Sequence, residues 1–336
     1  MILVTGGTGL VGSHLLYHLS QQEDKIRAIH RPESDLLKVK NVFGYYTDQP
    51  EILFNKIEWV ETSLNDISEL EKVFNQITRV YHCAAVVSFD PKDYRIMRKV
   101  NIEGTENIVN LSILNKIDKL CFVSSIATLS KSVDGKEITE ENFWTNTQGK
   151  SGYAITKQGA EAAMWRAGQE GVKVVIVNPG VILGPGFWEK GTGKLFDKIY
   201  KGFKYYTTGV TGFVGVNDVV KVMMQLMESN LKNERFILVA ENASFKDIFF
   251  QIADHFGVKR PHKKVSSFLS EIGWKLAWIK GKFLNKAPDL TKYSARASHQ
   301  KKYYSSKKIK NALDFSFEPL KKTIETTCKK YLKDRT

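Results

Sequence analysis

The feature that most constrains the fold is a glycine-rich segment placed between a strand pattern and a helix pattern. The sequence opens with MILVTGGTGLVG, in which Gly6, Gly9 and Gly12 recur at a spacing of three. Gly6 permits a tight turn, and Gly12 lets the following helix pack closely against a sheet. Gly9 leaves room for a pyrophosphate beside the backbone N–H groups of Leu10 and Val11, at the positive end of the helix dipole. The segment therefore predicts a βαβ unit that binds a dinucleotide.

Apolar strand patterns alternate with helix patterns over the first two thirds of the chain. The strand candidates are residues 1–6, 25–31, 57–62, 79–85, 119–125 and 172–180. Strands that are apolar throughout and separated by helices are typical of a parallel sheet covered on both faces. We therefore predict an α/β fold of the Rossmann type, a doubly wound parallel sheet followed by a smaller, mostly helical C-terminal substrate domain.

The regular alternation loosens after residue 180, where a glycine-rich loop follows. We assign residues 1–180, together with about 213–240, to the dinucleotide-binding domain. The remaining segments, about 181–212 and 241–336, are assigned to a substrate-binding or lid domain.

Composition restricts the class of protein and its compartment. The chain is 42% hydrophobic and 26% charged, as in ordinary globular proteins. Its three cysteines are widely spaced and form no CxxC pair, which argues against a disulfide framework or a zinc site. The first strand pattern starts with the sequence itself, and no apolar run of about 18 residues occurs. We therefore expect a cytoplasmic protein.

The excess of positive charge lies in the last quarter of the chain. Residues 1–258 hold 29 Lys and Arg against 30 Asp and Glu, whereas residues 259–336 hold 21 against 6. Such a block can face an anionic membrane or a nucleic acid, or it can be a solvated lysine-rich surface. No zinc finger, helix-turn-helix or RNA-binding aromatic pattern occurs, so we predict no nucleic-acid partner.

The end of the second strand pattern bears on which dinucleotide binds. An acidic residue at this place would bind the adenosine ribose of NAD(H), but the sequence here reads AIHRPES. Arg31 can instead pair with a 2′-phosphate through its planar fork, with Lys38 assisting. This favours NADP(H), and NAD(H) remains the alternative.

Several ordered motifs resemble those of the extended short-chain dehydrogenases/reductases, also described as the NAD-dependent epimerase/dehydratase superfamily. The likeness is greatest to the dihydroflavonol reductase and 3β-hydroxysteroid dehydrogenase-like branch. It covers about residues 1–240 through TGGTGLVG, SLNDISEL, HCAAVV, NIEGTENIV, FVSSIATLS, YAITK, VNPGVILGPG and FVGVNDVV. Besides the glycine segment, the cofactor-binding residues that the resemblance implies are Asp66, Ile67, Ala84, Ala85, Val86, Tyr153, Lys157, Pro179 and Val181.

The same resemblance implies a catalytic set of Ser125, Tyr153 and Lys157. Tyr153 and Lys157 stand four residues apart, so on a helix they point the same way. A nearby ammonium should lower the pKa of the phenol and fit it for proton transfer. Lys157 would also hold the nicotinamide ribose, and Ser125, favoured by alignment over Ser124, would donate a hydrogen bond to the carbonyl or alkoxide oxygen.

Departures from the family pattern narrow the reaction. The two positions after Ser125 are Ile126 and Ala127, whereas sugar-nucleotide dehydratases have an acidic pair there. The stretch 205–218 contains no arginine to hold a substrate diphosphate. We therefore predict an NAD(P)H-dependent oxidoreductase for a ketone, aldehyde or secondary alcohol on an apolar small molecule. The alternative is an NAD-dependent sugar-nucleotide epimerase. Candidate pocket walls, which can equally be plain core, are Val86, Val87, Phe89, Ile126, Phe187 and Trp188.

Three further features concern lids, partners and metals. Residues 266–286 combine an apolar stripe with lysines, which indicates either a lid over the substrate or a helix on a membrane surface. The resemblance also implies a homodimer through helices near 101–115 and 153–170. His14 and His18 are spaced to share a metal, but no third ligand accompanies them, so we predict no metal site.

Overall fold

The structure is a computed structural model. It describes residues 1–23, 25–132, 137–144, 146–284 and 290–335, without the side chains of residues 280 and 282–284. Part of the predicted stripe of 266–286 therefore lies outside the described residues, namely the side chains of Lys280, Lys282 and Phe283 and the whole of Lys286.

Twelve strands occur in the described residues, and seven of them form the central parallel sheet. The strands are β1 (Ile2–Thr5), β2 (Ile26–His30), β3 (Ile57–Glu61), β4 (Arg79–His82), β5 (Lys119–Val123), β6 (Lys173–Pro179), β7 (Val181–Leu183), β8 (Tyr205–Tyr206), β9 (Val210–Gly215), β10 (Glu234–Leu238), β11 (Glu241–Ser244) and β12 (Lys263–Lys264). The order in the central sheet is β10-β6-β5-β4-β1-β2-β3. Each of the six predicted strands corresponds to one of β1 to β6, and the predicted fold class is confirmed.

The α-helices of the described residues cover both faces of the central sheet and also form much of the C-terminal part. They are α1 (Leu10–Gln22), α2 (Leu36–Phe43), α3 (Pro50–Phe54), α4 (Ile67–Val73), α5 (Tyr94–Met97), α6 (Gly104–Leu114), α7 (Gly152–Gln169), α8 (Gly193–Tyr200), α9 (Val216–Glu228), α10 (Phe245–Phe256), α11 (Ser267–Leu284), α12 (Lys292–Ala297), α13 (Lys307–Leu313) and α14 (Leu320–Lys333). A π-helical segment, Arg98–Glu103, joins α5 to α6.

Side-chain alternation along the strands divides the core into two layers. Val175 and Val177 face the cluster that contains α1 and α9, whereas Val174 and Ile176 face the cluster that contains α4, α6 and α7. All four residues are fully buried. A strand buried on both faces favours apolar side chains at successive positions, which is why the strand patterns are mainly apolar.

The order of the strands determines where a ligand can bind. The chain proceeds outward from β1 through β2 and β3, then returns to β4 on the other side of β1. The connections on either side of this reversal leave a crevice at the carboxyl ends of the strands. The glycine segment lies at the end of β1, directly at this crevice.

The C-terminal part carries a second, smaller assembly. Strands β7, β9 and β11 form a separate three-stranded sheet, and α8, α10 and α14 pack together beside it. Strand β10 returns to the central sheet. The proposed division into a dinucleotide domain and a substrate domain stays a prediction.

Candidate active site

A large cleft of about 2720 Å³ follows the carboxyl edge of the central sheet. It extends from the glycine segment, past Ser125 and Tyr153, to the N-terminal half of α11. The cleft therefore places the predicted dinucleotide site and the predicted catalytic residues in one continuous space.

The glycine segment has the shape that a pyrophosphate needs. Gly6 has a φ of +70°, and a Cβ there would lie 2.5 Å from the backbone N of Ala84. A Cβ at Gly12 would lie 2.2 Å from the carbonyl oxygen of Gly6, so both positions require glycine. Gly9 is the N-cap of α1 and provides no side-chain cap. The first N–H groups of a helix have no partner within it, so those of Leu10 and Val11 fit an anion in the cleft.

Most of the other predicted cofactor residues also line the cleft. Beyond the glycine segment, these are Arg31, Lys38, Ala84, Ala85, Val86, Tyr153, Lys157, Pro179 and Val181. Asp66 and Ile67 are not among the lining residues. Asp66 instead caps α4, where its carboxylate accepts a hydrogen bond from the backbone N–H of Glu69 at 3.2 Å. The predicted contact of Asp66 and Ile67 with adenine stays a prediction.

The two predicted 2′-phosphate residues each have an acidic neighbour. Arg31 forms an ion pair with Glu33 at 3.1 Å, and Lys38 forms one with Glu189 at 3.3 Å. Both pairs are largely exposed, and such pairs contribute about 0–1 kcal/mol. Either cation can therefore exchange its glutamate for a phosphate at small cost.

The side chains of Ser125 and Tyr153 both line the cleft, and they lie close enough for the Ser125 hydroxyl to favour the ionised form of the phenol. Ser125 lies just after β5, and its Oγ also accepts a hydrogen bond from the backbone N–H of Ala127 at 3.1 Å. Tyr153 lies in the first turn of α7, whose N-terminus is capped by the Ser151 side chain. Ser124, the alternative to Ser125, is directed away from Tyr153 and donates to the buried carboxylate of Glu161. The geometry thus pairs Tyr153 with Ser125.

The pKa of Tyr153 corrects the expectation drawn from the sequence. Burial raises the pKa of the phenol above its ordinary value, and the neighbouring Ser125 hydroxyl offsets only part of this effect. The Lys157 ammonium is not among the causes of the shift. Burial removes water from the phenolate, and this cost exceeds the gain from the serine hydroxyl. Tyr153 is therefore a neutral phenol at neutral pH, suited to donate a proton.

Lys157 is buried beneath the cleft. Its Nζ donates a hydrogen bond to the carbonyl oxygen of Val123 at 2.7 Å and lies 4.0 Å from the centroid of the Phe122 ring. Burial lowers the pKa of Lys157 to about 7, although the Glu161 carboxylate acts in the opposite direction. The lysine is thus held in place by the end of β5 and is close to its protonation midpoint at neutral pH.

A buried polar network below Ser125 was not predicted from the sequence. The carboxylate of Glu161 accepts hydrogen bonds from Thr128 at 2.8 Å and Asn178 at 2.6 Å, and it pairs with Arg235 at 3.3 Å. Asn178 also donates to the carbonyl oxygen of Ser125 at 3.1 Å. The network therefore fixes the backbone that carries Ser125. The sequence signal was present, because Glu161 follows Lys157 by four residues on the same helix.

Asn101 links Val86, on the wall of the cleft, to α7, the helix that carries Tyr153. It lies in the π-helical segment, where its side-chain oxygen accepts from the N–H of Val86 at 2.7 Å. Its amide donates to the carbonyl oxygen of Val86 at 2.9 Å and to the hydroxyl of Thr156 at 3.0 Å. Distortions of this kind occur often at functional sites.

The predicted pocket walls all line the cleft, namely Val86, Val87, Phe89, Ile126, Phe187 and Trp188. Phe89 lies edge-on to Tyr153, with 6.0 Å between ring centroids. Trp188 has a structural role as well, because its indole donates to Asp334 at 2.7 Å and packs against Tyr331. The walls near Tyr153 are therefore mainly apolar.

Helix α11 has one side toward the cleft and one toward solvent. Leu269, Ser270 and Gly273 line the cleft, and Ser270 is joined to His299 by a hydrogen bond of 2.8 Å. The large exposed apolar side chains of α11 are Phe268, Leu269, Ile272, Leu276, Trp278 and Ile279. Whether α11 is a lid over the substrate or a helix on a membrane surface stays a prediction.

His14, one of the two histidines whose spacing could suit a metal, is buried and bonded to the protein itself. His14 Nε2 bonds the carbonyl oxygen of Pro185 at 3.0 Å, and burial lowers the pKa of His14 to about 4. Within the described ranges, no three His, Cys, Asp or Glu side chains are grouped as metal ligands. Over the same residues, none of the helices combines the length and the apolar character needed to cross a bilayer.

Comparisons with known proteins agree with this geometry. Residues 2–240 match the model of the family described as NAD dependent epimerase/dehydratase. A Synechocystis sp. protein named "Putative dihydroflavonol 4-reductase" is 27% identical over 334 residues, which cover 96% of this chain and 91% of that protein. The 3beta-hydroxysteroid-dehydrogenase/decarboxylase isoform 1 of Arabidopsis thaliana is 24% identical over 353 residues, which cover 97% of this chain and 78% of that protein.

A solved structure supports the same fold. The UDP-glucose 4-epimerase of Thermotoga maritima superimposes with a TM-score of 0.79 at 18% identity, covering 100% of this chain and 99% of that one. The family match spans well over half of the chain and includes every strand of the central sheet. The chain therefore belongs to the NAD-dependent epimerase/dehydratase family, as its motifs predicted, and it is an NAD(P)-dependent enzyme of the extended short-chain dehydrogenase/reductase type.

Proposed function

We propose that this enzyme reduces a ketone or aldehyde on a largely apolar small molecule, with NADPH as the preferred reductant. The observation that carries the proposal is the close approach of Ser125 and Tyr153 on the wall of the cleft that begins at the glycine segment. Burial keeps the phenol protonated, which suits reduction, because the product alcohol needs a proton.

The reaction needs one hydride and one proton. When bound, the reduced nicotinamide supplies the hydride to the carbonyl carbon. Tyr153 donates its phenolic proton to the carbonyl oxygen, and solvent later returns a proton to the phenolate. Ser125 donates a hydrogen bond to the same oxygen as negative charge develops there. Lys157 provides positive charge beneath the site, and we assign it to the nicotinamide ribose by analogy with the family.

The cofactor preference gives a first prediction. Arg31→Asp should weaken NADPH binding by about 10–100-fold, because a charge-assisted hydrogen bond contributes about 1.5–3 kcal/mol. NADH binding should strengthen, since the new carboxylate can accept from the ribose 2′-hydroxyl. Fluorescence titration of both reduced dinucleotides measures this. The matched control is Arg98→Asp, an exposed arginine outside the cleft. Unchanged NADPH affinity in Arg31→Asp would refute the assignment.

The pKa of Lys157 gives a second prediction. Because this pKa is lowered from 10.5 to about 7, the ammonium is lost as pH rises through neutrality. If the charge assists reduction, kcat/KM should fall above about pH 7, by up to about tenfold per pH unit. The free energy of unfolding should change in the opposite direction, since the unfolded state binds more protons between the two pKa values. Lys157 thus stabilises the fold less at pH 7 than at pH 10.

A pH–rate profile of the wild-type enzyme from pH 6 to 9 measures the effect on activity. Lys157→Arg serves as a control, because a guanidinium keeps its charge over this range. A flat profile in the wild-type enzyme would contradict the role given to Lys157.

The alternative activity, NAD-dependent epimerisation of a sugar nucleotide, predicts a different outcome. Purified enzyme would then retain NAD and turn over UDP-sugars without consuming added NADPH. The apolar walls near Tyr153 favour reduction instead.

Two further expectations, contact of α11 with an anionic membrane and a homodimer through 101–115 and 153–170, stay predictions, as does the cytoplasmic location.

A further inference from the structure

A lysine lies on the substrate side of the cleft, away from the glycine segment. Lys302 lines the cleft together with Gln300 and Tyr304. Its backbone is fixed, because the N–H of Lys302 donates to the carbonyl oxygen of Val210 at 3.0 Å and the N–H of Val210 donates to Gln300 at 2.9 Å. The side chain is partly buried, whereas the neighbouring Lys301 is exposed and outside the lining.

Two more lysines stand close to Lys302. Burial lowers the pKa of Lys302, and the positive charges of Lys150 and Lys131 lower it further. The Nζ of Lys150 lies 4.3 Å from the ring centroid of Trp144, which directs it across an aromatic face. In the described part of the chain, no carboxylate forms an ion pair with any of the three. A partly buried positive charge without a carboxylate partner, such as that of Lys302, favours an anion beside it.

The cluster is close in sequence to the catalytic pair. Lys150 directly precedes Ser151, the N-cap of the helix that carries Tyr153. Lys131 follows the turn that begins at Ser125. The segment beside Lys302 is tied to this region by a β-bridge between Tyr304 and Ile138. An anionic group bound here would thus belong to a substrate whose carbonyl reaches Ser125 and Tyr153.

The surroundings indicate what kind of anion fits. The C-terminal segments add apolar and aromatic side chains to the lining, among them Phe249, Val265 and Leu269, together with serines and threonines. Arginine binds phosphate oxygens through two parallel hydrogen bonds, but the arginine that the C-terminal segments add to the described lining, Arg335, is already paired with Asp197. A single carboxylate on an apolar body suits this arrangement better than a nucleoside diphosphate.

We propose that Lys302 binds a carboxylate on the substrate, with Lys150 and Lys131 adding positive potential from outside the cleft lining, so that the substrate is an apolar carbonyl compound with one acidic group. This inference rests on the proposed reductase function and adds the substrate class to it. Lys302 is here a specificity residue, since it contacts the substrate away from the reacting carbonyl.

The test compares two aldehydes that differ only in charge, 4-carboxybenzaldehyde and its methyl ester, with NADPH and the full chain. We expect the wild-type enzyme to prefer the acid. Lys302→Gln should raise KM for the acid by about 10–100-fold, the effect of one charge-assisted hydrogen bond, and leave the ester unchanged. Lys302→Arg should keep most of the preference, and Lys301→Gln should behave as wild type. Equal losses for acid and ester, or a wild-type preference for the ester, would overturn the proposal.

A binding measurement separates this proposal from the proposed reaction. Calorimetric titration with 4-tert-butylbenzoate, which has no carbonyl to reduce, requires no turnover. Weaker binding to Lys302→Gln by about tenfold or more supports the carboxylate site even if neither aldehyde is reduced. Equal binding to the wild type and Lys302→Gln would refute it. Displacement of the benzoate by UDP at lower concentration than by a second carboxylate would also refute it, in favour of a diphosphate.

Discussion

Replacing Tyr153 with phenylalanine should lower kcat for NADPH-dependent carbonyl reduction by about 10²–10⁴-fold, the usual contribution of a positioned acid. The change removes the phenolic oxygen and leaves the ring, so the edge-on contact with Phe89 should persist. NADPH affinity should change little, because the substitution leaves the glycine segment unaltered. Steady-state rates and a fluorescence titration of the same preparation separate the two effects.

A matched substitution tests whether the loss is specific. Tyr94→Phe removes a hydroxyl from an exposed tyrosine that packs against Gly152, at the start of the same helix, but does not line the cleft. It should retain wild-type turnover. Ser125→Ala should reduce kcat by about 10²–10³-fold, as for other donors to a developing oxyanion. Turnover by Tyr153→Phe within a factor of about three of the wild type would exclude Tyr153 as the acid.

Replacing Glu161 with alanine should give the largest loss of stability, about 3–5 kcal/mol of unfolding free energy. The change leaves the guanidinium of Arg235 buried without its carboxylate, at 3% exposure. It also removes the acceptor for Thr128 and Asn178. Urea unfolding measures the loss through a lower midpoint. Activity should fall as well, because Asn178 holds the carbonyl oxygen of Ser125.

Two further variants check the cause of this loss. Glu170→Ala, near the end of the same helix, breaks the exposed pair with Arg166 and should cost less than about 1 kcal/mol. In the double variant Glu161→Leu/Arg235→Met no unpaired charge remains, so part of the stability should return. If Glu161→Ala cost no more than Glu170→Ala, the network would not have the structural role given to it here.

The sequence was most informative where one local rule determines the structure. Apolar strand patterns located β1 to β6, because strands buried on both faces have little freedom in residue type. Gly6 and Gly12 were identified for the same reason, since their backbone admits no Cβ. The Ser125–Tyr153 pairing came from motif order and not from any contact visible in one sequence.

Other features depend on contacts between distant segments and could not be derived. Arg235 reaches Glu161 across 74 residues, and its guanidinium also donates to the carbonyl of Glu140. Lys302 lies in a part of the chain with many lysines, and only its position on the cleft distinguishes it from Lys301. The pKa of Tyr153 was expected to be lowered because a neighbouring lysine was considered without the burial of both groups.

The central claim is that Tyr153 protonates a carbonyl oxygen as hydride reaches the carbonyl carbon in this cleft. A single-turnover reaction with NADPH carrying deuterium at the transferred position of its nicotinamide, and 4-carboxybenzaldehyde as acceptor, tests it most directly. Mass spectrometry of the alcohol should show one deuterium with the wild-type enzyme and almost no product with Tyr153→Phe at equal NADPH occupancy. Label transfer at the same rate in both proteins, or cofactor binding without transfer to this or any other carbonyl compound, would contradict the claim.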